Sequence, residues 1–218
     1  MRLTKKQHEF LVLSDAAYQK RDYEKEAKDL GWKKLERYSN GEINVFVKKS
    51  QCVMAFRGTQ SAKDFYTDIK SVALSGVKAD DRRFVEAAAA MRRVAKNIGQ
   101  HYHISVTGHS LGGTIAQYVG RLFCLGGICF NPGSSPVFKL TELMKKAARK
   151  GMKGMKSRNC AKVLIVRVTD NKSAAGTDWI SKNAEKNFPG SKAKRLKPKN
   201  TNKVSNIHLA NHYSTAIY

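Results

Sequence analysis

His103–Cys124 reads HISVTGHSLGGTIAQYVGRLFC, and within it Gly108-His109-Ser110-Leu111-Gly112 spells G-x-S-x-G. HISVT has the β-branched, alternating look of a strand, whereas TIAQYVGRLF carries apolar residues at helical spacing. A serine between the two falls on a sharp strand-to-helix turn, where bulk two residues to either side would collide with the flanking elements. Such a turn exposes the hydroxyl for nucleophilic attack. It also aims the Leu111 backbone N–H, backed by the helix dipole, at the negative charge that would develop on an attacked carbonyl.

Outward from this centre, strand and helix patterns alternate. CVMAF (52–56) is an apolar run ending in Arg57-Gly58-Thr59. From Arg82 to Ile98, Phe84, Ala87, Ala88, Met91, Val94, Ala95 and Ile98 recur at helical spacing, with Gly99 placed as a C-terminal cap. GGICFNPG, TELMKKAARK and KVLIVRVT then read as strand, helix and strand. Alternation of this kind predicts an α/β fold with a mostly parallel central sheet flanked by helices. Upstream, Thr4 and Gln7 fit a capping box opening an amphipathic helix, and Asn40-Gly41 is a turn signal for a small N-terminal hairpin.

The 218 residues are expected to form a single domain, 1–218, with a basic exposed loop around 190–204 (FPGSKAKRLKPKNTNK and its surroundings). The first twenty residues break their apolar stretch too early for a signal-peptide core, and no run reaches the roughly 18 apolar residues of a membrane span. The expectation is an intracellular chain, soluble or peripheral to a membrane, with packaging in a virion as one setting. Cys52, Cys124, Cys129 and Cys160 lack the close pairing and partner histidines of a zinc site. They are expected to be free thiols, and neither a metal nor a cofactor is expected.

A serine needs a histidine to take its proton and a carboxylate to fix the imidazole tautomer, in the chain order Ser, acid, His for this kind of fold. Only His208 and His212 follow Ser110. Asp170 and Asp178, both beyond the strand KVLIVRVT, are the acids to weigh.

With GHSLGG preceded about fifty residues earlier by AFRGT, the chain resembles the class 3 lipases, the fungal triacylglycerol lipase family, from about Val53 to Tyr213. The resemblance implies an α/β-hydrolase fold acting on lipid or other acyl esters. It implies that Thr59 supplies the second oxyanion donor, and that residues 60–79, including Asp64-Phe65-Tyr66-Thr67-Asp68, form a lid. His208, with Leu209 beside it and Tyr213 five positions on, resembles the family's histidine better than His212 does. Asp178-Trp179-Ile180-Ser181 resembles its acid motif better than Asp170 does. The proline common in the family soon after the acid is missing until Pro189, which leaves the substrate open. Phospholipase and small-ester esterase stand beside triacylglycerol lipase.

The balance of 41 Lys+Arg against 17 Asp+Glu gives a formal net charge of +24. Nine basic residues and one acid lie between Lys139 and Lys162. Such a field attracts an anionic membrane surface or, non-specifically, nucleic acid. The competing expectation is therefore a lipase-like fold kept as a catalytically weak or inactive, basic, nucleic-acid- or membrane-associated structural protein.

Overall fold

The computed structural model describes residues 3–19, 21–58, 82–132, 142–150, 163–168 and 193–196. Five helices, α1 Lys5–Ala16, α2 Arg21–Asp29, α3 Arg82–Ile98, α4 Leu111–Phe123 and α5 Glu142–Arg149, accompany seven strands. These are β1 Lys33–Lys34, β2 Ile43–Lys48, β3 Gln51–Phe56, β4 His103–His109, β5 Gly127–Phe130, β6 Val163–Val168 and β7 Ala193–Leu196. They form one sheet in the order β1-β2-β3-β4-β5-β6-β7. The pairs β1–β2 and β2–β3 are antiparallel, and all pairs from β3 to β7 are parallel. The expected α/β architecture, a mostly parallel sheet flanked by helices, is what the chain adopts.

The order explains the layering. The connections β3–α3–β4, β4–α4–β5 and β5–α5–β6 all step the same way across the sheet. Right-handed crossovers therefore put all three helices on one face. Val45, Met54, Phe56, Val106 and Cys129 point to that face and meet Phe84, Met91, Ile115 and Phe123. The other face would be left bare, and the N-terminal helices cover it: Phe46, Val53, Ala55, Ile128 and Phe130 pack against Phe10, Leu11, Leu13 and Trp32. The alternation Val53-Met54-Ala55-Phe56, buried throughout, is a strand covered on both sides.

Helix α1 starts on the expected capping box, with Thr4 Oγ1 accepting from Gln7 N–H and the Gln7 side chain accepting from Thr4 N–H. It departs from an amphipathic helix further on: Phe10 to Ala17 are all buried, because the helix lies between the sheet and α2. Three other expectations are corrected. Asn40-Gly41 does not close a tight hairpin. Residues Glu36–Tyr38 form a 3-10 turn that shortens β1 to two residues, and Asn40 Oδ1 instead accepts the Glu42 and Ile43 amides. The tight turn falls one connection later, at Lys49-Ser50 between β2 and β3, with Lys49 at φ 52°. The expected basic loop contains β7, an edge strand paired with β6. A lysine-rich sequence suits an edge, where charge deters further pairing. Finally, Cys124 is disulfide-bonded to a partner outside the described residues, whereas Cys52 and Cys129 are free and buried. Among the described residues no helix is long and apolar enough to cross a membrane.

Candidate active site

β4 ends at His109 and α4 begins at Leu111, leaving Ser110 alone at the junction with φ 55° and ψ −125°. A side chain rarely tolerates positive φ, and holding one there costs on the order of 1–3 kcal/mol that the surroundings must enforce. They do so through hydrogen bonds on both sides of the residue. Ser110 N–H donates to the Phe130 carbonyl at 3.1 Å, and the Ser110 carbonyl accepts from Thr114 N–H at 3.1 Å. The serine hydroxyl makes no capping bond to the helix.

Glycine is required here by contact. A Cβ on Gly108 would run into the Gly112 backbone, and one on Gly112 would run into the Phe56 carbonyl. Helix α4 thus approaches β3 and β4 so closely that neither glycine can carry a side chain, and the junction is a tight strand–turn–helix elbow. The first intrahelical bond is donated by Thr114, so the amides of Leu111, Gly112 and Gly113 lack intrahelical acceptors. Leu111 N–H therefore lies at the positive end of the helix dipole, next to Ser110 in the chain.

The second backbone segment at the site is the loop after β3. Parallel pairing sets Phe56 against Gly108, so the chain leaves β3 beside the elbow. A Cβ on Gly58 would lie 2.7 Å from the His109 carbonyl oxygen and 3.5 Å from Ser110 Cβ. Arg57 N–H donates to the Glu42 carbonyl at 2.9 Å, and the Arg83 guanidinium of α3 donates to the Arg57 carbonyl. Thr59, Asp170, Asp178, His208, His212 and the lid segment 60–79 lie outside the described residues.

His109 is not a base for its neighbour. Its Nδ1 lies 3.3 Å from Tyr18 Oη, and its Nε2 is buried with no partner among the described residues. Burial lowers its pKa from the usual 6.5 to about 4. Burial, and secondarily the Asp15 carboxylate, pushes the Tyr18 phenol well up. Burial likewise pushes the Cys52 thiol to about 12 and Cys129 higher still, so neither is a thiolate near neutrality. Sequence reasoning missed Tyr18, because its contact with His109 spans 91 positions and no local pattern announces it. Among the described residues no group of His, Cys, Asp and Glu could hold a metal ion.

The neutral His109 has a measurable consequence. The folded ring stays uncharged down to about pH 4, whereas an unfolded one takes its proton near 6.5. Lowering the pH between those values loads protons onto the unfolded chain only, so stability falls; above 6.5 and below about 4 this residue adds no slope. The expected loss across the window is roughly 3 kcal/mol. Urea midpoints at about pH 7 and pH 4 should differ less in His109→Gln than in the wild type.

No curated protein matches the chain. Among solved structures, carboxyl esterase 2 from the mycorrhizal fungus Tuber melanosporum is similar at 11% identity, covering 76% of this chain and 74% of that one, with a TM-score of 0.36. Esterase B from Lactobacillus rhamnosis, in a complex with a tributyrin phosphonate inhibitor, is similar at 12% identity, covering 87% of this chain and 84% of that one, with a TM-score of 0.39. A family model matches residues 60–173, just over half of the chain and including the elbow. The chain belongs to that family, the uncharacterised protein family UPF0227.

Proposed function

We propose that this protein is a serine hydrolase that cleaves acyl esters, with Ser110 as nucleophile. The observation that carries the reading is Ser110 itself, held at φ 55° between β4 and α4 with its hydroxyl uncommitted to the helix. Strain of this kind persists where a side chain must be presented, and the free amides at the start of α4 supply electrostatic stabilisation beside it.

In the proposed reaction a histidine, His208 in preference to His212, takes the Ser110 proton as Oγ attacks the ester carbonyl carbon. An aspartate, Asp178 in preference to Asp170, holds the imidazole in the tautomer that can accept it. The carbonyl oxygen gathers negative charge and is met by the backbone amides of Leu111 and Thr59. Collapse of the tetrahedral intermediate expels the alcohol, which leaves with the proton from the histidine. Water, deprotonated by the same histidine, then attacks the acyl-enzyme and releases the acid. The finer reading, a class 3 lipase-like enzyme acting on lipid esters, rests on GHSLGG and AFRGT and on the resemblance of the sequence around His208 and Asp178. The charge of +24 favours substrate at an anionic interface.

The test is a panel of p-nitrophenyl esters of short and long acyl chains, with and without anionic phosphatidylglycerol vesicles. Turnover of the short ester is expected, with a rise on the long ester when vesicles are present. No turnover on any ester, together with salt-sensitive binding to DNA or to the vesicles, would replace the hydrolase with the basic structural protein.

A further inference from the structure

The elbow and the loop after β3 are separate backbone segments, and under the hydrolase reading each supplies one oxyanion donor. Donors must sit within a few tenths of an ångström of the developing charge, so the relative placement of the two segments fixes the rate. A third segment joins them. Tyr18 follows the last turn of α1, where Tyr18 N–H donates to the Asp15 carbonyl and Gln19 adopts φ 59°. Its phenol reaches between the other two, with Oη 3.3 Å from His109 Nδ1 and close against the Gly58 backbone. The fit is close, since a Cβ on Gly58 would run into that same oxygen.

We propose that Tyr18 is a positioning residue for the ester hydrolysis inferred above: its hydroxyl couples the Gly58 amide to the His109 imidazole and so holds the loop leading to Thr59 against the elbow bearing Leu111.

The proton inventory gives the bridge a direction. A phenol has one proton to donate and lone pairs to accept. The Gly58 amide donates to the oxygen, so the phenol proton goes to His109 Nδ1 and the imidazole keeps its own hydrogen on Nε2. Hydrogen bonds in such a chain polarise one another where water is excluded. In the proposed bridge the peptide plane between Arg57 and Gly58 is pinned at both ends, its N–H by Tyr18 and its carbonyl by the Arg83 guanidinium, which donates to it. Glycine is the most permissive residue, yet the close approach at position 58 admits no other. With that plane fixed, the orientation of the Thr59 amide depends only on the two dihedrals of Gly58. Without the phenol, one end of the plane is released and the amide swings.

The purified full chain assayed on p-nitrophenyl butyrate tests this. Tyr18→Phe keeps the ring and removes the bridge, so kcat is expected to fall about ten- to a hundredfold with KM within about twofold of wild type. Hydrogen exchange at the Gly58 amide should accelerate, while the thermal midpoint moves by only a few degrees. His109→Asn offers an acceptor near the Nδ1 position and is expected to keep most of the activity, whereas His109→Leu loses it. Wild-type kcat in Tyr18→Phe, or a loss shared equally by kcat and the folded fraction, overturns the proposal. Should Tyr18→Phe fail to fold, equal activity of His109→Asn and His109→Leu overturns it, and a clear excess for asparagine upholds it. An active wild type with an unaffected Tyr18→Phe removes the positioning role alone, whereas a wild type that turns over no ester removes the hydrolase reading and this role with it.

Discussion

Replacing Ser110 by alanine is expected to lower ester hydrolysis by roughly four to six orders of magnitude while leaving the thermal midpoint within a few degrees of wild type. The two halves of the expectation have separate causes. Under the proposed mechanism the rate falls because the hydroxyl oxygen forms the covalent bond, and oxyanion stabilisation alone sustains only residual catalysis. The fold survives because the hydroxyl caps nothing: the Phe130 and Thr114 bonds at this residue are made by its backbone. Alanine inherits the positive φ, so it does not relieve the strain. Glycine does, and Ser110→Gly is expected to be as inactive as Ser110→Ala yet more stable by about 1–2 kcal/mol. Initial rates on p-nitrophenyl butyrate and thermal melts of the three proteins check both halves.

Gly112→Ala is the second large effect, and it acts on the fold. A Cβ there would run into the Phe56 carbonyl, with the Phe56 and Arg57 carbonyl carbons at 2.8 Å. These are backbone atoms in a paired strand and no rotamer moves them aside, so α4 itself must shift from the sheet. Overpacking of this kind costs about 3 kcal/mol or more, an expected drop of roughly 6–12 °C in a chain of this size. The displacement also moves Ser110 and the Leu111 amide, so activity is expected to fall further than the folded fraction does. Gly41→Ala is the control. Its Cβ would meet nothing nearer than Arg57 Nη1 at 4.0 Å, and it is expected to leave stability within about 0.5 kcal/mol. Equal midpoints for the two variants would mean that α4 does not pack as closely as the elbow requires.

The elbow was legible because its pattern is local, although its causes are not all so. Gly108 is dictated by contact with the helix start four residues on, whereas Gly112 is dictated by the Phe56 carbonyl of β3, more than fifty positions away; the motif is read from the strand and helix that flank it. The α3 periodicity was legible because the helix is buried on the face that its spacing reveals, and the short apolar runs of β3, β5 and β6 because strands covered on both sides read as continuous apolar stretches. What failed depended on distant partners. β7 reads as a basic loop because strand character at an edge comes from pairing with β6, not from its own apolar content. Helix α2 went unread: only Ala27 is buried in it, while Asp22 and Glu24 in its first turn and Lys28 in its last are weak signals. At the site, the strand-to-helix turn around Ser110 was legible. Tyr18 was not, because nothing in DAAYQK hints that its phenol will meet a histidine more than ninety positions away.

Mass mapping of a fluorophosphonate adduct on the folded protein is the most direct test of the account. A single modification is expected on the peptide carrying Ser110, absent from Ser110→Ala and suppressed by prior incubation with an ester substrate. A folded wild-type chain that stays unmodified, or one modified elsewhere with Ser110 untouched, would contradict it.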